Sequence, residues 1–259
     1  MEFHNKVILI TGASSGIGRA VALALARHNN RLVITARRKA LLSEVAAEVR
    51  MAGSEALCLP DDATDARHAE KVVRETARRW GQIDIAILNV GAGPAANLTT
   101  ASAESIRACM RTNYDTLVNF YVPLIRQMKT QTAKCLITHI NSLASYFGLP
   151  MQGDYTAAKA AARILLETAR MELRHFGQDH IRIQTIHPGF VRSKPKADSL
   201  PRPGEITADK AAEQILAAIR SEKPEYRFPF ATALATRIGR IAPLWLKTKI
   251  LLAAAPKEY

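Results

Sequence analysis

Short apolar runs alternate with longer stretches of helical periodicity along most of the chain. Val7-Ile8-Leu9-Ile10 is an unbroken apolar run closed by a glycine-containing turn, the pattern of a strand buried on both faces. Over residues 15–28, Ile17, Val21, Ala24 and Leu25 recur at helical spacing, and Asn29-Asn30 can end that helix because Asn tolerates the left-handed conformation. The alternation repeats. Strands are predicted at 32–34, 56–59, 83–88, 135–140 and 181–186, and helices at 39–50, 65–80, 102–128 and 154–176. Pro123 should kink the helix over 102–128. After Pro188 the rhythm fails. Residues 193–206 carry three prolines and predict a loop, and 207–221 predicts a helix with Thr207 as N-cap. The tail from Phe228 is apolar but dotted with Arg and Lys.

Strands alternating with helices imply an α/β fold: a mostly parallel sheet, doubly wound, with helices on both faces. No linker or composition shift divides the chain. Residues 1–228 read as one domain and 229–259 as an amphipathic C-terminal helical extension of it. At 259 residues and 48% hydrophobic content the chain can build a full core, which excludes global disorder. Cys58, Cys109 and Cys135 are odd in number and far apart, so neither a disulfide framework nor a zinc site is expected, and a reducing compartment is. Met1-Glu2-Phe3-His4 predicts no secretory leader, and no stretch of about 18 residues lacks charge, so no spanning helix is expected. These points predict a cytoplasmic protein. The net charge, 36 − 23 = +13, is the unusual feature. It admits nucleic acid, an anionic membrane or a phosphorylated ligand. No nucleic-acid-binding module is recognisable, so nucleic acid is not expected as a partner.

Thr11-Gly12-Ala13-Ser14-Ser15-Gly16-Ile17-Gly18 joins the first predicted strand to the first helix. Glycines there permit a tight turn, close approach of a pyrophosphate and close helix–sheet packing, while the helix N-terminus offers free N–H groups. The alternative is a glycine turn that only packs. After the second strand an NAD site would place an acid; Arg37 and Arg38 stand there instead and suit a ribose 2′-phosphate, hence NADP(H). They could equally open a solvated helix. Asp62, with Ala63 beside it, follows the third strand where it could meet the adenine, or could cap the next helix. Tyr155 and Lys159 share a helix face, and an ammonium favours the phenolate, making the pair a candidate acid–base group. That spacing also suits a plain amphipathic surface. Ser142 ends the fifth strand, where ligand crevices of open sheets lie, although serines there often only turn the chain. Asn113 is a polar residue inside a helix and by itself would not stand out.

Together these motifs resemble the short-chain dehydrogenase/reductase family, with its Rossmann-like fold, over roughly residues 5–193. The turn Thr11-Gly12-x-x-x-Gly16-x-Gly18, the ordered set Asn113, Ser142, Tyr155 and Lys159, and the segment from His187 to Ser193 carry the resemblance. It implies an oxidoreductase needing no metal. Tyr155 would be general acid or base, Lys159 would lower its pKa and bond the nicotinamide ribose, and Ser142 would polarise the carbonyl. Asn113 would hold a relay water, and Asn89, Pro188, Gly189, Val191 and Ser193 would line the cofactor. Two departures stand out: Asn89-Val90-Gly91-Ala92 replaces Asn-Asn-Ala-Gly, and Ser193 replaces Thr. A homodimer or homotetramer is also implied.

Leu143, Phe147, Leu149, Met151 and Phe190 are candidate substrate contacts, and their character predicts a hydrophobic carbonyl or alcohol. The tail could be a substrate lid, a subunit contact or, with Trp and Leu beside basic residues, a peripheral membrane contact. A non-catalytic NADP(H) sensor or scaffold on the same fold is the rival to an enzyme.

Overall fold

Apolar runs that carry no polar face must be covered on both sides. The computed structural model, which describes residues 1–192, 204–253 and 255, shows how this chain covers them. In order the elements are β1 (Val7–Thr11), α1 (Gly16–Ala26), β2 (Arg31–Thr35), α2 (Lys39–Met51), β3 (Glu55–Cys58), α3 (Ala66–Trp80) and β4 (Ile85–Leu88). They continue with α4 (Ala103–Met110), α5 (Thr116–Met128), β5 (Cys135–Ile140), α6 (Gly153–His175), β6 (Ile181–Pro188), β7 (Val191–Arg192) and β8 (Ile206–Thr207). The last four are α7 (Ala208–Ser221), β9 (Glu225–Phe228), α8 (Phe230–Ile241) and α9 (Leu244–Ala253).

Among the described residues, seven strands form one sheet in the order β3-β2-β1-β4-β5-β6-β9, every neighbouring pair parallel. The strand order reverses between β1 and β4, which opens a crevice at their carboxyl ends. Because side chains alternate across a strand, β1 feeds two cores. Ile8 and Ile10 pack with Val21 and Leu25 of α1, Leu42 of α2 and Ile215 of α7. Leu9 points the other way, among Val72 of α3, Phe120 of α5 and Leu166 of α6. This is the doubly wound Rossmann-like arrangement.

Three sequence expectations are corrected. The helix over 102–128 is interrupted not at Pro123, which lies buried inside α5, but at residues 111–115, where a π-helical turn joins α4 to α5. β6 runs on through Pro188, beyond the predicted end at 186. Glu225–Phe228, left within the irregular region, adds a seventh strand beside β6. Thr207 does cap α7, its hydroxyl accepting from the Lys210 N–H at 3.3 Å. Of the predicted loop over 193–206, residues 193–203 lie outside the described residues.

The loop before β4 is tied by Asp84, only 3% exposed, whose carboxylate accepts from the Val7 N–H at 2.8 Å and from the Gln82 amide at 3.1 Å. Asp84→Ala leaves a buried N–H without its acceptor and should cost about 1–3 kcal/mol, read as a lower urea midpoint with an unchanged slope. An unchanged midpoint would mean that water replaces the carboxylate at no cost.

Candidate active site

The turn after β1 is shaped by what a side chain would strike. Gly12 and Gly16 have φ of +69° and +55°, values that favour glycine. A Cβ on Gly18 would lie 2.3 Å from the Gly12 carbonyl oxygen, so α1 can approach β1 only without one. Asn89, at the end of β4, fastens the turn from the other side. Its N–H donates to Thr11 Oγ1 at 2.9 Å, and its amide to the Thr11 carbonyl at 3.3 Å. Ser15 caps α1 without a side-chain hydrogen bond, which leaves first-turn N–H groups facing the crevice. The cradle of positive-φ glycines and open helix N–H groups fits a pyrophosphate.

Arg38 reaches over this turn and donates to Ser14 Oγ at 3.0 Å and to Ser15 Oγ. Arg37 lies 3.8 Å from Asp62 and is largely exposed. The basic pair therefore divides: Arg38 is tied to the glycine turn, while Arg37 meets the carboxylate expected near the adenine.

Four elements bring the acid–base candidates together: the end of β5, the start of α6, the loop after β4 and the π turn. Ser142 Oγ accepts from the Ala144 N–H at 3.1 Å and starts a short 3₁₀ turn, Leu143–Tyr146. Lys159, 2% exposed, donates to the Ile140 carbonyl at 3.2 Å, and its Nζ stands 5.8 Å from the centre of the Tyr155 ring. Burial pulls the Lys159 ammonium down to about 8. Tyr155 is half-buried, and that burial holds its phenol above the usual range, opposed by a hydrogen bond from Ser142. Asn113 is fully buried behind them. Its Oδ1 accepts from the Ala92 N–H at 3.0 Å and its Nδ2 donates to the Ala92 carbonyl at 2.7 Å, so the side chain clamps the loop after β4. Cys109 lies beside it, its thiol raised to about 11 by burial and by Asp154.

These groups meet in a cavity of about 1240 Å³. Its wall includes Gly12, Ser14, Ser15, Gly16, Ile17, Arg37, Arg38, Asp62, Ala63 and Asn89 at one end. Ser142, Tyr155, Lys159, Pro188, Gly189 and Val191 lie further in, with Leu143, Phe147, Leu149 and Phe190 as apolar wall. Gly18 lies beneath the turn and Asn113 behind the wall; neither lines it. Met151 is also outside the wall: it holds a left-handed backbone, φ +61°, and its carbonyl accepts from the Ala96 N–H at 2.8 Å. Ser193 lies outside the described residues.

Other residues of the site had no role assigned from the sequence. A Cβ on Gly91 would fall 2.8 Å from Lys159 Nζ, and one on Gly93 would fall 3.0 Å from the Tyr155 ring. Asn141 donates to the Lys159 carbonyl at 3.1 Å and accepts from the Ser142 N–H at 2.8 Å. His187, kept neutral by burial with its pKa near 4, lies 3.2 Å through Nδ1 from the Ser142 carbonyl, as a donor to it. The outer wall comes from α8 and α9, through Thr232, Ala235, Thr236, Gly239, Leu246 and Leu251.

Residues 6–202 match the family model described as short chain dehydrogenase. A Myxococcus xanthus protein named an uncharacterized oxidoreductase is 30% identical over 243 residues, covering 93% of this chain and 94% of that protein. The structure is similar to an alcohol dehydrogenase from the archaeon Thermococcus sibiricus complexed with 5-hydroxy-NADP, with 27% identity, a TM-score of 0.76, and coverage of 87% of this chain and 95% of that one. In fold it matches a short chain dehydrogenase/reductase from Burkholderia phymatum in complex with NAD, at 22% identity, a TM-score of 0.85, and 100% and 99% coverage. The chain belongs to the short chain dehydrogenase family of oxidoreductases.

The buried ammonium has a thermodynamic signature. Lys159 titrates near 8 when folded, against 10.5 for a free lysine, so between these values the unfolded chain binds more protons and stability rises with pH. Lys159→Met removes that penalty. Its melting temperature at neutral pH should exceed that of the parent, by at most about 3 kcal/mol of stability, and should lose the rise with pH across that window. A lower melting temperature would mean that the bond to the Ile140 carbonyl outweighs the cost of burial.

Proposed function

We propose that the chain is an NADP(H)-dependent oxidoreductase that interconverts a hydrophobic ketone or aldehyde and the corresponding alcohol. The observation that carries this reading is the convergence of Ser142, Tyr155 and Lys159 in one cavity, beside a backbone cradle suited to a dinucleotide. Gly12, Ser14, Ser15, Gly16 and Ile17 would hold the pyrophosphate, and Asn89, Pro188, Gly189 and Val191 the nicotinamide half. The bound cofactor supplies one chemical capability, hydride transfer to or from the substrate carbon.

The chain's own groups handle the oxygen. Ser142 Oγ accepts from Ala144, and its one hydrogen, which bonds Tyr155, would turn to the substrate carbonyl oxygen and polarise it. In reduction the Tyr155 hydroxyl gives its proton to that oxygen as negative charge develops there; in oxidation the phenolate takes it back. The raised pKa of Tyr155 keeps it protonated near neutrality, the form reduction needs. Lys159, charged below about 8, stabilises the phenolate left behind. Asn113 acts indirectly here, by clamping Ala92 and so the loop that faces Lys159.

Preference for the 2′-phosphorylated cofactor is supported by Arg38 above Ser14 and Ser15, and by the lack of an acid directly after β2. Apolar substrate character is supported by Leu143, Phe147, Leu149 and Phe190, with Ile238, Leu246 and Leu251 opposite.

Two variants test the reading. Tyr155→Phe should lower kcat at least a hundredfold while leaving NADPH binding within about twofold, measured by NADPH absorbance and fluorescence. Turnover near the parental rate would rule out the phenol as the proton carrier. NADPH bound by the parent but never consumed across a carbonyl and alcohol panel would point to the sensor reading instead. Arg38→Ala should weaken NADPH roughly tenfold or more and NADH hardly at all, since a charge-assisted bond is worth about 1.5–3 kcal/mol. Equal losses for the two cofactors would remove the basis for NADP preference.

A further inference from the structure

The two C-terminal helices are built inside out. A surface helix ordinarily turns its large apolar side chains to the core. α8 instead faces the cavity with small residues, Thr232, Ala235, Thr236 and Gly239. Three of its large ones, Phe230, Leu234 and Ile241, follow helical spacing along the opposite side and are 80%, 45% and 84% exposed. α9 has no buried residue, and Leu244, Trp245 and Leu252 are 72%, 69% and 62% exposed. Large Trp, Leu and Ile side chains exposed along two successive helices mark a surface that another apolar phase covers.

Charge identifies that phase. From Tyr226 to Ala255 the chain holds Arg227, Arg237, Arg240, Lys247 and Lys249 and not one Asp or Glu. Arg240 lies 4.8 Å above the Tyr146 ring and Lys247 5.9 Å from the Phe147 ring. Arg237 and Lys249 are exposed among the apolar residues. A second copy seated on this patch would bring cations against cations with no carboxylate from either side. An anionic bilayer supplies both what the patch lacks, hydrocarbon for Trp245 and Ile241 and phosphate or carboxylate for Arg237 and Lys249. Among the described residues no helix is long and apolar enough to cross a membrane, and α8 and α9 span only 12 and 10 residues, so such contact would lie in the interface.

The cavity reaches the same surface. Ile238 and Ile250 line it and are 57% and 58% exposed, so they stand at its rim. We propose that α8 and α9 dock on an anionic phospholipid bilayer with the cavity mouth facing the lipid, and that the substrate enters from the bilayer. The docking surface stands on the helices alone; the substrate route also rests on the oxidoreductase function proposed above.

Trp80→Phe leaves Trp245 as the only tryptophan and makes its emission a direct probe. In that background, vesicles of phosphatidylcholine with phosphatidylserine should shift the emission to shorter wavelength and carry the protein in flotation. Pure phosphatidylcholine vesicles or added salt should weaken both effects. Arg237→Gln with Lys249→Gln should lower partition roughly tenfold or more, and Ile241→Glu with Leu244→Glu should abolish it. None of these four residues lines the cavity, so turnover of a water-soluble ketone should stay at the parental rate. Turnover of a ketone dissolved in the vesicles should fall with partition. Absence of flotation with anionic vesicles, or equal partition of parent and variants, overturns the proposal. So does a parental dimer that Ile241→Glu with Leu244→Glu dissolves while vesicles bind neither form; a second copy would then be the occupant. Flotation without turnover of any ketone would sink the oxidoreductase reading and leave the docking surface standing.

Discussion

The candidate site is organised around one energetically costly demand, the burial of the Lys159 ammonium with no carboxylate partnered to it among the described residues. A cation removed from water needs donors' partners and room. The Ile140 carbonyl accepts one hydrogen bond from it, and the Tyr155 ring lies within cation–π range. The room is made by the chain opposite: Gly91 has no side chain where one would meet Nζ, and Gly93 has none where one would meet Tyr155. Asn113 and Asn141 then lock the two backbones that approach the lysine, one through Ala92 and the other through the Lys159 carbonyl. The Gly91-Ala92 order, a departure from the family pattern, places the residue without a side chain on the side of Lys159 and Asn113.

Most of the sheet was legible because its central strands are buried on both faces and therefore read as plain apolar runs. β9 was not. Glu-Tyr-Arg-Phe has no apolar run, since it lies at the sheet edge and its Glu225 and Arg227 serve a polar cluster with Tyr146. The glycine turn, Ser142, Tyr155 and Lys159 were legible because their chemistry ties them to fixed spacings. Gly93 and Asn141 were not, and Gly91 and His187 only as members of a segment, because each matters through a neighbour distant in sequence. Met151 misled for a related reason: its apolar character suits a substrate wall, but a left-handed backbone turns the chain there.

The positive charge, read first as a global property, resolves into local ones. Arg38 is committed to the glycine turn and Lys159 is buried against the Ile140 carbonyl. Arg163, Arg227 and Arg240 all lie over the ring of one tyrosine, Tyr146, which ends the short turn begun at Ser142. The excess that remains on the tail is the part that is exposed beside apolar side chains.

The π turn at residues 111–115 has an effect beyond delivering Asn113. A regular helix advances about 100° per residue, and a π turn fits one residue more than the regular path requires. The apolar stripe of α4 is therefore out of phase with that of α5, although the two run on without a loop between them. That offset lets one helical rod serve two neighbours, α4 against α6 and α5 against α3. A deletion of one residue here would restore a smooth helix and rotate one half away from its partner. The surplus residue thus works as a gear between two packing surfaces, one on the helix that carries Tyr155 and one on α3.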